Sequence, residues 1–276
     1  MSNYISDSTK KHWLVSNPAR TTRTGMDGKP FRCPFCPGNE IDTPPEVYRI
    51  GEGEANKTGW EVRVVPNKFN ITEIHEVIIH SPDHNKNVED LSLEQIENII
   101  KTYINRFNSL KEKGKVFIFS NQSLISGASL VHSHSQVSVV PNDIPTETLV
   151  AQPIVNIVEQ RQEFVSYCPD YSEWAFETWI VGVGRDRPFQ NLNEKQIQDF
   201  AKILQSSLIK LKKVHDGNLH YSKKPFGYNF YIQPYGEWYL RIIPRFMERA
   251  GFELSTGIMV NSVEAKKASE ELKNIL

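Results

Sequence analysis

Apolar and polar residues alternate along the chain in segments that predict one strand, one helix and two further strands. Residues 76–80 have the pattern of a buried strand, and residues 93–110 carry apolar side chains every three or four positions. Ser92 and Gln95 are placed to form a capping box at the start of that helix. Residues 115–119 and 132–141 again have strand patterns. These spacings predict strand, helix and an antiparallel strand pair.

The same run of elements occurs a second time, in residues 177–181, 194–214, 228–232 and 238–244. The segment that starts at Glu76 aligns without a gap with the segment that starts at Glu177, an offset of 101 residues. A duplication explains this match, and a chance likeness of two strand–helix–strand units is the alternative. We therefore expect an α+β protein of two tandem halves with antiparallel sheets and helices, divided into residues 1–145 and 146–276.

Residues 1–60 are rich in turn-forming residues and carry several arginines, so we expect an arm that lies over the repeat. The chain has 32 basic and 33 acidic residues, and this near-neutral charge favours neither nucleic acid nor an anionic membrane as a partner. No apolar run reaches the roughly 18 to 20 residues that span a bilayer, and the first residues lack the apolar stretch of a signal peptide. A cytoplasmic location is expected.

Three polar side chains, those of His132, His134 and Gln136, fall at every second position of the last strand in the first half. They project from one face of that strand, and Ser133 and Ser135 project from the other. The aligned positions of the second copy hold no histidine; they are Tyr235, Glu237 and Tyr239. One active half per chain is therefore expected.

The sequence Cys33-Pro-Phe-Cys36 is a candidate for metal binding, because two thiolates in this spacing can chelate one ion. A structural zinc ion takes four sulfur or imidazole ligands, and His84 and His132 are candidates to complete a Cys2His2 set. Such an ion would tie the arm to the first half. Free thiols or a redox pair are the alternatives, although no thioredoxin-like pattern surrounds the two cysteines.

His134 has the chemistry of a nucleophile that attacks phosphorus. Imidazole titrates near pH ~6.5, so much of it is unprotonated at neutral pH, and its attack on a phosphate gives a reactive phosphoramidate. Gln136 can donate a hydrogen bond to a phosphoryl oxygen that gains charge in the transition state. The alternative is that both histidines of this strand have structural roles.

Together these segments resemble the galactose-1-phosphate uridylyltransferase family of the histidine triad superfamily, over nearly the whole chain. The resemblance depends on several motifs that occur in the same order, in residues 17–23, 33–39, 62–69, 81–84, 121–136 and 251–253. It implies a fold of two histidine-triad-like halves with an N-terminal zinc-binding arm.

The resemblance also implies a role for individual residues. The zinc ligands that it implies are Cys33, Cys36, His84 and His132. His134 is the implied nucleophile that becomes nucleotidylated, and Gln136 steadies the phosphate. The implied substrate-binding residues are Arg20, Arg23, Asn67, Asn121, Gly127, Ser129, Phe252 and Glu253. Phe252 and Glu253 correspond to residues that contact the sugar in the partner's site, so a homodimer with shared active sites is expected.

The implied activity is ping-pong transfer of a uridylyl group from UDP-glucose to galactose 1-phosphate through His134. The sequence His-Ser-His-Ser-Gln is also that of plant relatives that are ADP-glucose phosphorylases, so a nucleotide-sugar or dinucleotide phosphorylase is the alternative. Lys68 stands where bacterial relatives have an acidic residue beside the ribose. Arg241 and Ile243 replace histidines that hold a second metal in some members, so no second metal is expected. More distant hypotheses are a zinc-stabilised nucleotide-binding module without turnover and a metallohydrolase.

Overall fold

Antiparallel strands and helices make up the computed structural model, which describes residues 3–18, 32–146, 148–184 and 187–275. The strands are β1 (Asn3–Ser6), β2 (Trp13–Ser16), β3 (Tyr48–Gly51), β4 (Trp60–Pro66), β5 (Ile74–Ile79), β6 (Lys115–Gln122), β7 (His134–Val140), β8 (Ile157–Gln160), β9 (Phe164–Tyr167), β10 (Thr178–Gly182), β11 (Tyr228–Gln233) and β12 (Tyr239–Pro244). The helices are α1 (Leu93–Leu110), α2 (Glu194–Gly217), α3 (Gly251–Thr256) and α4 (Ala265–Lys273).

Strands β3 to β12 form one sheet with the order β3-β4-β5-β7-β6-β11-β12-β10-β9-β8. Its centre is the antiparallel pair of β6 and β11, in which Phe119 lies opposite Tyr231. Outward from this pair, the first half runs β6-β7-β5-β4-β3 and the second half runs β11-β12-β10-β9-β8. The two halves thus repeat one strand order, which confirms the predicted α+β fold. The division at residue 145 stays a prediction.

Helices α1 and α2 pack against each other and against one face of this sheet. In α1 the buried side chains recur at helical spacing, as at Ile96, Ile99 and Tyr103, so the apolar stripe of the helix enters the core. The Ser92 hydroxyl accepts a hydrogen bond from the Gln95 backbone N–H and caps the helix. The Gln95 side chain instead donates to the carbonyl oxygens of Glu61 and His80. The predicted reciprocal capping box is therefore only half formed.

The gapless alignment of the two halves holds for the helices but not for the strands that precede them, β5 and β10. Ile96 of α1 and Ile197 of α2, which differ by 101 positions, are both buried in the main core. At the same offset Ile180 of β10 would match Ile79, whose side chain lies in a separate cluster on the other face of the sheet. Ile78 is the residue that shares the main core with Ile180. Strand parity therefore requires an even offset there, and an offset of 102 matches Ile78 with Ile180.

The face of the sheet that turns away from α1 and α2 carries two smaller clusters. In the first half, Val65, Val77 and Ile79 pack with Phe35, which comes from the segment before β3. In the second half, Trp179 and Tyr239 belong to the corresponding cluster. Among the described residues, no helix has the length and apolar character needed to cross a membrane. The cytoplasmic location stays a prediction.

Candidate active site and metal centre

Strand β7 separates two sets of side chains, as its period of two predicts. Ser133 and Ser135 point toward the helices, where both ring nitrogens of the buried His80 contact their hydroxyl oxygens at 2.9 and 2.7 Å. Burial lowers the pKa of His80 well below its usual value, and the nearby His134 and His132 act in the same direction. The neutral imidazole of His80 therefore contacts the side of β7 that faces the helices. His134 and Gln136 project from the opposite face.

Four predicted ligands come together at the start of β7. Cys33, Cys36, His84 and His132 place their ligand atoms within 4.8 Å of one another. Nδ1 of His132 lies 3.7 Å from both cysteine sulfurs, and Nδ1 of His84 lies 3.3 Å from Cys36 Sγ. An ion with Zn–S bonds of about 2.3 Å and Zn–N bonds of about 2.0 Å has sulfur and nitrogen about 3.6 Å apart in a tetrahedron. The four side chains therefore fit a metal ion between them.

The protonation of these side chains agrees with metal binding. Nε2 of His132 donates a hydrogen bond to the Ser81 carbonyl at 2.8 Å, which leaves a lone pair on Nδ1, directed at the cysteines. Burial lowers the pKa of His132 to about 4, so the ring is neutral at pH 7. Burial also raises the pKa of Cys33 to about 11, and a bound cation would supply the charge that stabilises its thiolate. Both cysteines are free of disulfide bonds.

The orientation of the His134 ring is set by its own main chain. Nδ1 donates a hydrogen bond to the carbonyl oxygen of His132 at 2.8 Å, so in the neutral ring Nε2 carries the lone pair. The Phe35 ring packs against the imidazole in a T-shaped arrangement, with ring centroids 5.4 Å apart. His134 is 7% exposed, which leaves it accessible from one side only.

That side opens on a cavity of about 260 Å³. Phe35, Val65 and Val77 form an apolar wall, and Lys68 and Arg32 bring positive charge to its lining. Arg32 forms an ion pair with Asp42, which also lines the cavity. A largely apolar pocket with a few polar groups is typical of sites for small organic ligands.

The structure brings some of the predicted substrate-binding residues to this cavity and leaves others away from it. Asn67, Ser129, His134 and Gln136 line it. Asn121 lies on β6, where its side-chain oxygen accepts a hydrogen bond from Asn229 of β11 at 2.7 Å, and it is not part of the wall. Gly127 has a φ of 86°, a left-handed conformation that favours glycine, and closes the turn before Ser129.

The remaining predicted contacts lie elsewhere. Phe252 and Glu253 belong to α3, and neither lines the cavity beside His134 of the same chain. The Phe252 side chain is about half exposed. Arg20 and Arg23 lie outside the described residues.

The structure also adds a residue that sequence reasoning missed. His75 of β5 is 3% exposed, and its Nε2 lies 3.0 Å from Oε1 of Gln136. Its position gave a weak signal, because His75 directly precedes the predicted strand 76–80, and an extended residue there would share the face of Val77. The pairing of Val77 with Gln136 across the two strands was needed to bring His75 to the site.

The corresponding face of the second half is filled. Trp179 and Tyr239 stack with centroids 4.1 Å apart, and Arg241 forms a buried, bidentate ion pair with Glu177. The Tyr239 hydroxyl donates to the carbonyl of Leu149, which packs over this cluster. Large rings and an ion pair thus occupy the space that is open beside His134.

Comparison with known proteins agrees with these observations. Residues 73–140 match the family model described as galactose-1-phosphate uridyl transferase, N-terminal domain. ADP-glucose phosphorylase of Arabidopsis thaliana is 25% identical, over 98% of this chain and 92% of its own length. Galactose-1-phosphate uridylyltransferase of Thermotoga maritima is 22% identical, over 95% of this chain and 94% of its own length. The chain therefore resembles the galactose-1-phosphate uridylyltransferase family.

Solved structures share this fold over the full length of the chain. The crystal structure of the Arabidopsis thaliana ADP-glucose phosphorylase with bound ADP-glucose superposes with a TM-score of 0.76 at 23% identity, covering 100% of both chains. A uridylyltransferase structure gives a TM-score of 0.75 at 18% identity, covering 99% of this chain and 97% of that one.

Proposed function

We propose that the protein is a nucleotidyltransferase that carries the transferred nucleotidyl group on His134, with hexose 1-phosphate uridylylation as its reaction. The observation that carries this proposal is the hydrogen bond from His134 Nδ1 to the His132 carbonyl, at 2.8 Å. This bond fixes the tautomer and leaves the Nε2 lone pair as the nucleophile on a ring that lines the cavity.

The reaction has two half-reactions at one site. Nε2 of His134 attacks the α-phosphorus of UDP-glucose, a P–N bond forms, and the P–O bond to glucose 1-phosphate breaks. A phosphate oxygen of galactose 1-phosphate then attacks the same phosphorus, the P–N bond breaks, and UDP-galactose forms. The Gln136 amide donates to the phosphoryl oxygen that gains charge in both steps. The imidazole is regenerated, so the steps balance without a further reactant.

The four candidate metal ligands have a structural role in this proposal. Cys33, Cys36, His84 and His132 would hold zinc, which supplies cross-linking of the arm to the start of β7. His132 then has a fixed main chain, and its carbonyl holds the His134 ring in the orientation for attack.

We propose the same substrate contacts that the family resemblance implies. Asn67 and Ser129 line the cavity and would contact the nucleotide. Asn121 and Gly127 would act at its edge, and Arg20 and Arg23 would approach the phosphates. Phe252 and Glu253 would serve the partner's site in a homodimer, because α3 does not reach the cavity of its own chain.

A second candidate function is phosphorolysis of a nucleotide sugar such as ADP-glucose. The match to ADP-glucose phosphorylase over 98% of the chain supports it. The exposed Lys68 ammonium at the cavity also suits an inorganic phosphate acceptor, which carries more charge per volume than a sugar phosphate. The covalent intermediate on His134 would be the same.

Intact-protein mass spectrometry tests both candidates. Incubation with UDP-glucose should add one uridylyl group that acid removes, and incubation with ADP-glucose reports an adenylyl group in the same way. His134→Ala should gain neither mass, and His220→Ala, which changes an exposed histidine, should react like the wild type. A wild-type protein that gains no mass with any nucleotide sugar would exclude covalent catalysis.

Discharge of the adduct identifies the acceptor. Galactose 1-phosphate should remove the nucleotidyl group and release UDP-galactose. Release of a nucleoside diphosphate by inorganic phosphate, without discharge by hexose 1-phosphates, would instead establish the phosphorylase. Activity that chelation abolishes without any adduct would indicate a metallohydrolase.

A further inference from the structure

We propose that His75 is a positioning residue that fixes which end of the Gln136 amide faces the transferred phosphoryl group. An amide side chain has an oxygen that only accepts and a nitrogen that only donates hydrogen bonds. Only the nitrogen end of Gln136 can stabilise a phosphoryl oxygen as it gains charge. The orientation of this amide therefore matters for the chemistry, and the inference rests on the proposed function.

The tautomer of His75 follows from the loop that precedes it. Nδ1 lies 2.8 Å from the backbone N–H of Ile71, which can only donate, so Nδ1 must accept. The proton of the neutral ring is then on Nε2. Protonation of Nδ1 would bring two donors together.

This tautomer determines the orientation of Gln136. Nε2–H of His75 donates to Oε1 of Gln136 at 3.0 Å, and both side chains are buried. Reversal of the amide would put its NH2 group against the His75 N–H and leave both buried groups without an acceptor, which is unfavourable. The NH2 group is thus turned away from His75. Gln136 lines the cavity together with His134, so its donor end is available to substrate there.

Neighbouring groups hold the His75 ring in place. The ring packs near Phe119 of β6, with centroids 6.3 Å apart. Nδ2 of Asn67 lies 3.3 Å from Nε2, but Oδ1 of Asn67 accepts from the Phe69 N–H, so its amide presents a donor to His75 as well. Of these two contacts of Nε2, the one to Gln136 is therefore the shorter, and it is the one in which the partner atom, Oε1, is an acceptor.

Two substitutions separate the two ends of the imidazole. The Oδ1 atom of asparagine can replace Nδ1 as acceptor for Ile71, whereas the side chain is too short to reach Gln136. Glutamine extends as far as Nε2 and can still donate. His75→Asn should therefore lose the orientation of Gln136, and His75→Gln should keep it.

The test measures the single-turnover rate of adduct formation at saturating UDP-glucose or ADP-glucose, whichever loads the wild type, together with the dissociation constant. His75→Asn should lower the rate about 10- to 100-fold and change the dissociation constant much less, as expected for a group that orients a transition-state contact. His75→Gln should recover most of the rate. Gln136→Ala should be slow, and adding His75→Asn to it should cause little further loss. His220→Asn is the matched control, since that histidine is exposed.

Three results would overturn the role of His75 while the proposed function stands. These are a wild-type rate in His75→Asn, an equal loss in His75→Asn and His75→Gln, and rate losses that multiply in the double variant. A wild-type protein that forms no adduct would overturn the proposed function and this role with it. Should His75→Asn fail to fold, His75→Gln alone is measured, because it keeps the donor but alters the ring. A rate near that of the wild type is expected, and a rate as low as that of Gln136→Ala would overturn the role of His75.

Discussion

The main-chain carbonyl of His132 accepts a hydrogen bond from Nδ1 of His134 at 2.8 Å, while Nδ1 of His132 lies 3.7 Å from the sulfurs of Cys33 and Cys36. One residue thus has its side chain in the metal-binding cluster and its main chain against the proposed nucleophile. Any displacement of the His132 backbone changes the direction of the His134 lone pair. Disruption of the metal-binding cluster should therefore also lower the reactivity of His134.

Removal of a metal ligand should lower reactivity without removing the nucleophile. Cys36→Ser should reduce the zinc content from about one ion per chain and slow adduct formation about 10- to 100-fold, because the carbonyl that orients His134 loses its anchor. Metal analysis and the single-turnover rate measure the two effects. Cys168→Ala is the matched control, since Cys168 is a buried thiol outside the cluster. Zinc-free wild-type protein that reacts at the full rate would contradict the coupling.

Mixed dimers should reveal whether α3 serves the partner's site. His134→Ala and Glu253→Ala chains should each be poorly active alone. After subunit exchange, half of the dimers are mixed and each of these has one intact site, so about a quarter of the wild-type activity should return. No recovery after verified exchange would exclude a site shared in this way.

The buried His80 should make stability depend on pH. Its folded-state pKa is depressed by burial, so below about pH 6.5 the unfolded chain binds a proton that the folded chain does not. Its contribution is therefore fully present above that pH and is lost as the pH falls. Between about pH 7 and pH 5.5 it should remove about 1 kcal/mol of unfolding free energy.

Urea unfolding at several pH values measures this effect. The comparison concerns the pH dependence and not the absolute stability, because His80 also contacts Ser133 and Ser135. His80→Gln should show a smaller loss of stability toward low pH than the wild type. His220→Gln, at an exposed position, should keep the wild-type dependence. An unchanged slope in His80→Gln would show that His80 is not the group responsible.

The ion pair of Arg241 with Glu177 should matter for stability and not for chemistry. Arg241→Met leaves the carboxylate of Glu177 buried without its counter-ion and should lower the unfolding free energy by about 3 kcal/mol. Arg241→Met combined with Glu177→Gln should be more stable than the single variant, since the buried charge is gone. Urea unfolding measures both. Adduct formation by folded Arg241→Met should equal that of the wild type, and a slower reaction would show that the second half contributes to the site.

Local sequence patterns were sufficient for the strands and helices predicted in each half and for the two faces of β7, but they did not identify β3, β4, β8 or β9. The period of two put His134 and Gln136 on the same side and Ser133 and Ser135 on the other, and the structure agrees. Helical spacing identified α1 in the first half and α2 in the second. The same patterns could not detect the one-residue difference between the strand and helix offsets. An added residue in the connection before the helix changes which strand position faces the core without changing either pattern.

The sequence by itself determined the two like halves, the Cys-x-x-Cys pair and the alternation that exposes His134 on one face of its strand. These features depend on neighbouring residues and on fixed backbone periods. Only the tertiary structure decided that His84 and His132 lie beside the two cysteines and that His75 contacts Gln136. It also decided that the rings of Trp179 and Tyr239 fill the face of the second half that corresponds to the His134 side. Those relationships join residues far apart in the chain, and the register between paired strands sets them.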